Sequence, residues 1–332
     1  MELINSSRAP ALPLLVLDTR GEETLLVVVK ASFDITPGKV SLAEEQDGIV
    51  LADDYHGEPG QSSIRHAGDG VLFKPSTDVV LIGSAHAPGG RPCTRLDVVL
   101  KVGKVAKTVR VFGDRRWERG LVSPRASEPA PFERMPLVYE RSFGGTDATV
   151  RESERRNPVG VGFRGKKSAL PTVGVPLPNL EDPAQLIGQP ADRPAPAGFG
   201  FIAPHWEPRS KYAGTYDQAW MDDRAPLLPP DYDPRFQQVA PTGQVCAGYL
   251  AGGEPVEVRN ASPSGLLSFP LPKLQIEVLL GMEEPRALDI KLDTVVIDGD
   301  RARLLMTWRG SAPMHGQVYD VEWIKVSAEV AA

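Results

Sequence analysis

DVVLIGSAHAPGGRPCTRLDVVLKVGKVAKTVRVFGDRRW, residues 78–117, is the stretch on which the fold class turns. Three runs inside it, DVVLIGSAHA (78–87), RLDVVLKVG (95–103) and KTVRVFGDRRW (107–117), repeat apolar residues at strand spacing. Pro88-Gly89-Gly90 and Gly103-Lys104 divide them. Proline removes a ladder donor and glycine reaches conformations closed to other residues, so both breaks read as turns. Short β-branched runs joined by turns predict an antiparallel meander.

The same grammar extends in both directions. Between Leu14 and Phe33 the runs LLVL and TLLVVVKASF flank Arg20-Gly21-Glu22 and predict a β-hairpin. MPLVYERSFGG (135–145) predicts one more strand. After Pro241 come QVCAGYL (244–250), EPVEVRN (254–260), LLSFPLP (266–272), KLQIEVLLG (273–281), ALDIKLDTVVID (287–298), RARLLMTWRG (301–310) and QVYDVEWIKVS (317–327). Asp298-Gly299 predicts a two-residue hairpin between the last long pair. Between these regions, residues 157–241 hold 15 prolines in 85 positions, against 17 in the other 247, which excludes ordinary sheet or long helix there. No internal repeat of fixed period is present. The expectation is a mainly β protein of antiparallel sheets, sandwich-like or built as two packed β lobes, with a proline-rich irregular insert carrying short helices. The regions are 1–150, 151–241 and 242–328, read as one unit across residues 1–332.

Composition narrows the function. At 332 residues with 41% apolar content the chain can bury a sizeable core. A net charge of −6 and a pI near 5.5 disfavour a general nucleic-acid or anionic-membrane binder. One stretch runs the other way: residues 114–167 hold 12 Lys and Arg against 8 Asp and Glu, read as solvated loops. The N-terminus MELINSSRAPALPLLVLDTR lacks a basic region followed by an apolar run, and no 18-residue apolar stretch follows, so a cytoplasmic location is expected. Cys93 and Cys246 are too few and too far apart for a disulfide framework or a zinc site, and are expected to be buried free thiols.

Catalytic signatures are thin. Gly160-Val161-Gly162-Phe163-Arg164-Gly165 satisfies the G-x-G-x-x-G pattern, but prolines after it forbid the helix that would face a pyrophosphate, so a glycine-rich loop is expected. His56 and His66 near Asp53 and Asp54 fit no metal spacing and read as part of a solvated acidic loop. Ser142, Ser168 and Ser210 have no histidine at a nucleophile-base spacing, and His86, His205 and His315 read as isolated. No cofactor, metal or catalytic residue is assigned.

The densest chemistry lies in residues 194–241, PAPAGFGFIAPHWEPRSKYAGTYDQAWMDDRAPLLPPDYDPRFQQVAP. Asp217, Asp222, Asp223, Asp231 and Asp233 cluster there among rings, the composition of a glycosidase site. Local roles compete: Asp233 before Pro234 reads as a helix cap, and Asp231 as part of a Pro-Pro-Asp turn. Tyr212, Tyr216 and Trp220 share one face if residues 209–223 form a helix, which Gly214 weakens by about 1 kcal/mol. That face serves either as core or as a binding surface. Trp206, Arg209, Tyr212, Tyr216, Trp220, Arg224, Arg235 and Phe236 are the candidate partner-binding residues, because Trp, Tyr and Arg dominate interface hot spots.

The string HWEPRSKYAGTYDQAWMDDRAPLLPPDYDPRF (205–236) resembles the bacterial family known as domain of unknown function 2169. VFGDRRW (111–117), PLVYERSFGG (136–145), RNPVGVGF (156–163), LPNLEDP (177–183) and LDTVVIDGD with TWRG (292–310) extend the resemblance over nearly the whole chain. The resemblance implies a non-enzymatic adaptor or chaperone that holds a type VI secretion effector and helps load it onto a spike or tip protein. It supplies no catalytic residues. A hydrolase acting on polysaccharide or cell wall through Asp217 and Asp222, and a carbohydrate-binding β module, are the alternatives.

Overall fold

The computed structural model describes residues 1–330, 40% of the chain being strand and 7% helix. The main strands are β1 (Glu2–Asn5), β2 (Ala11–Leu17), β3 (Glu23–Thr36), β4 (Lys39–Leu42), β5 (Asp78–Ile82), β6 (Arg95–Val102) and β7 (Val105–Phe112). The C-terminal part adds β8 (Pro255–Arg259), β9 (Leu266–Pro270), β10 (Leu274–Gly281), β11 (Lys291–Asp298), β12 (Arg303–Pro313) and β13 (Trp323–Val330). They form three principal sheets. The central one runs β2-β3-β12-β11-β5 with β4 also on β3; a second runs from Leu180–Glu181 through β7, β6 and β8 to β9; a third runs β1-β13-β10 to Arg286–Ala287. Each sheet joins strands from both ends of the sequence.

The central sheet is covered on both faces, which is why β3, β11 and β12 are buried almost without a break rather than at alternate positions. On one face Leu25, Val27 and Val29 share a core with Val98, Leu100 and Val258 of the second sheet and Val278 and Ile324 of the third. On the other, Val80, Val296 and Leu305 are covered by Phe201, Trp206, Val239 and Tyr139. Each large apolar side chain buried this way contributes about 1.5–3 kcal/mol. The second face also buries three ion pairs: Lys30–Asp69 at 2.9 Å, Lys74–Asp78 at 2.8 Å, and Arg309–Asp293. Thr294 Oγ1 links two of them, accepting from Lys74 and donating to Asp293.

Several expectations are corrected. The meander holds only for β6 and β7. Residues 78–82 leave it to pair in parallel with β11, Val79 opposite Val295, because Val79, Val80 and Leu81 are buried on both faces in a slot of the central sheet while Asp78 is held by Lys74. MPLVYERSFGG is not one strand: a three-residue strand, Arg134–Pro136, pairs with Ser84–His86, a 3₁₀ turn follows at Tyr139–Arg141, and Phe143–Gly144 forms a two-residue pair. QVCAGYL makes only isolated bridges, Val245 to Asp78 and Leu250 to Leu292. The β11–β12 hairpin forms, but Asp298 lies opposite Arg303, so residues 299–302 close it as a longer loop. Gly299 is needed there for close approach, since a Cβ would sit 1.7 Å from the Ala261 carbonyl oxygen. Cys93 and Cys246 are half-buried rather than enclosed.

Candidate functional site

The insert lies across the open face of the central sheet, and two of the candidate residues hold it there. Trp206 is fully buried, its ring edge-on to Tyr139 with centroids 5.5 Å apart. The buried Arg209 guanidinium donates to the carbonyls of Phe236 (2.9 Å) and Ile202 (2.5 Å). These two residues are therefore core and brace rather than exposed contacts, correcting their place among the partner-binding candidates.

The predicted helix over 209–223 is broken. A 3₁₀ turn covers Arg209–Tyr212, Gly214 then takes a φ of +82°, and the helix α1 (Gln218–Asp223) starts afresh. Asp217 caps it, accepting from the Trp220 amide at 2.9 Å. A Cβ on Gly214 would stand 2.8 Å from Pro229 and 2.9 Å from Asp231, so the kink is both conformational and steric. Tyr212 is thereby separated from its partners and stacks on the Arg235 guanidinium at 4.3 Å, while Tyr216 and Trp220 remain together at 4.7 Å. Trp220 Nε1 donates to the Leu227 carbonyl at 2.8 Å, and Arg224 binds the carbonyls of Leu228 and Thr19. Tyr216 (53% exposed) and Met221 (61%) remain open to solvent beside the half-buried Trp220, and Phe236 is half-buried.

The aspartates have local duties. Asp231 accepts from the Thr215 amide and hydroxyl, which hold its carboxyl below the usual range. Asp233 caps the 3₁₀ turn Pro234–Gln237 and is lowered by its bonds to Arg235. Both shifts run opposite to what a glycosidase acid needs. His86 is not isolated: its Nε2 lies 2.7 Å from Asp300 Oδ1, while Ser84 and Arg134 bind Asp300 Oδ2. Imidazole and hydroxyl thus address one carboxylate, so the imidazole is not placed to take the Ser84 proton. In the G-x-G-x-x-G stretch, Val161–Gly162 pairs with Phe143–Gly144 and turns follow it. Burial pushes His56 and His66 below the usual imidazole value, and the described residues hold no group of three or more His, Cys, Asp or Glu placed to bind a metal.

One surface feature escaped the sequence reading. Arg115–Glu118 pairs with Arg125–Ala126 to make a hairpin whose tip bears Leu121 and Val122, both entirely exposed at 107% and 99%. Its base is rigid: buried Arg115 pairs with Glu181, donates to the Pro178 carbonyl at 2.7 Å and covers the Phe112 ring at 3.7 Å. A groove of about 980 Å³ runs beside it, lined by arginines and carboxylates together, Arg116, Arg125 and Arg141 with Asp114, Glu118 and Glu140 among them. The signal was an apolar pair inside the locally basic stretch. It carries no periodicity, so pattern alone leaves it as loop.

Residues 20–309 match a family described as an uncharacterized protein conserved in bacteria (DUF2169). The chain belongs to this family. The part of the DUF2169 chain that matches contains the insert, the hairpin and the strands β3 to β11, and leaves out β1, β2 and β13. No curated protein and no solved structure matches it. Among the described residues no helix is long and apolar enough to cross a membrane.

Proposed function

We propose that this DUF2169 chain is a non-enzymatic cytoplasmic adaptor or chaperone that binds a type VI secretion effector and helps load it onto a spike or tip protein. The observation that carries the reading is the hairpin tip: Leu121 and Val122 stand wholly in water on a base anchored by a buried ion pair. Covering two such side chains at an interface is worth about 1.5–3 kcal/mol each, and a preorganised base spares the cost of ordering the loop. The groove beside the tip presents both signs of charge, which favours a partner with a complementary mixed rim around an apolar pocket. Tyr216, Trp220 and Met221 supply a second exposed patch suited to a second partner.

The test is co-expression of the chain with a type VI secretion effector and a spike protein from the same genome, with a tag on one partner. Co-purification of a stable complex, and loss of effector solubility or delivery when the chain is deleted, support the proposal. Absence of any complex together with unchanged delivery overturns it.

A further inference from the structure

The third sheet has an edge that its neighbour leaves half covered. β10 pairs with β13 from end to end. On its other side only Leu279 and Leu280 find strand partners, in Ala287 and Arg286. The Leu288 amide then donates to the Val278 carbonyl at 2.9 Å, and after Ile290 the chain departs into β11 of the central sheet. Backbone groups of a strand address alternate sides, so Leu274 and Ile276 turn their amides and carbonyls the same way as Val278. No strand or loop among the described residues is bonded to them on that side. A row of unpaired donors and acceptors of this kind is a template for one more strand.

A cavity of about 700 Å³ lies where the neighbour departs. Leu274, Gln275, Ile276 and Glu277 all line it; successive side chains point to opposite faces, so four in a row place the cavity along the strand's edge. Its inner wall is apolar, from Leu250, Leu288, Ile290, Leu292 and Trp308. Leu250, Ile276 and Ile290 are only half-buried, which leaves apolar surface for an occupant to cover. The outer rim is acidic. Glu277 has a 3.4 Å bond from the Ser327 hydroxyl, and neither it nor Glu329 has an ion pair among the described residues that line the cavity. Lys291, the one lysine of that lining, is taken by Asp289 at 2.7 Å.

We propose that this edge binds an extended segment of another protein in which apolar and basic residues alternate. Its apolar side chains enter the cavity beside Ile276, their backbone groups pairing with Leu274 and Ile276, while its Lys or Arg side chains lie outside along Glu277 and Glu329. Backbone and alternation are what the edge reads, whichever protein supplies the segment. A second copy of this chain is the wrong occupant, because pairing through the same edge would add its own Glu277 to the acidic rim.

The probes are acetylated, amidated hexapeptides that alternate lysine and valine, a version with glutamate for lysine, and two N-methylated versions. Calorimetric titration into the full chain should give a Kd below about 1 mM for the lysine peptide and binding weaker by about tenfold or more for the glutamate one. In the bound register the valine amides face β10 and the lysine amides face away. N-methylation of the valines should therefore abolish binding, and N-methylation of the lysines should leave it within about threefold. Glu277→Lys, at an exposed position, should invert the preference between the lysine and glutamate peptides. Hydrogen exchange places the site: the Ile276 amide should slow by about tenfold or more at saturating lysine peptide. No binding at about 1 mM, equal loss on methylation of either set, an unchanged preference in Glu277→Lys, or an Ile276 amide that does not respond overturns the proposal. So does an Ile276 amide already protected in a chain that sediments as a dimer, which would give the edge to a second copy.

Discussion

The Arg224 guanidinium donates to the backbone carbonyl of Thr19, 205 positions earlier in the chain. This bond seats the insert on the turn between β2 and β3, where Gly21 also gives way to Leu227; a Cβ there would meet the Leu227 side chain at 3.0 Å. Arg224→Ala removes the tie and also frees the Leu228 carbonyl. The expected loss is about 1–2 kcal/mol, measured as a lower urea midpoint with an unchanged slope. A variant as stable as the parent would show that the seat is held by packing alone.

Gly214→Ala tests the kink that splits the aromatic face. The substitution forces a β-carbon into a φ of +82° and against Pro229 and Asp231. It should cost about 1–3 kcal/mol. Gly174 has a φ of +91° but nothing near its Cβ position, so Gly174→Ala is the milder control, and equal losses at both sites would show that crowding contributes nothing.

The buried Arg309–Asp293 pair predicts an asymmetric response. Both side chains are 2% exposed, and Asp293 also accepts from Thr294. Asp293→Ala strands the guanidinium and should lower stability by about 3–5 kcal/mol. Restoring much of that loss with an apolar replacement at both positions is the outcome to look for in a double-mutant cycle, and full additivity would contradict it.

Leu121→Asp and Val122→Asp separate binding from folding. Neither side chain is packed in the free chain, so unfolding midpoints should stay within about 0.5 kcal/mol of the parent. Complex formation with the effector or spike partner should weaken by about tenfold or more. Retention of full affinity in the double variant would remove the hairpin tip from the interface.

Acid sensitivity should centre in part on Asp47. Burial raises its carboxyl, but bonds from Arg301 (2.9 Å) and Arg303 (2.6 Å) outweigh this and hold it below the usual range. A carboxyl lowered by folding contributes stability above its unfolded value, about 3.9, and loses it as pH falls through the folded value. Asp47→Asn should therefore be less stable at neutral pH and converge on the parent in acid. A gap that stays constant down to about pH 2 would rule out this linkage.

Strand runs, turn positions and caps were legible in the residues because each is set within a few positions of itself. The β2–β3 hairpin, β6 and β7, the Asp233 cap and the glycine-rich loop at 160–165 all follow from such local chemistry. Partner choice was not legible. Apolar alternation marks a strand without naming its neighbour, so only the assembled sheet shows that Val79 joins Val295 instead of continuing toward β6. The candidate aromatics divide for the same reason: Trp206 and Tyr216 carry equal sequence weight, yet one faces the central sheet and the other water.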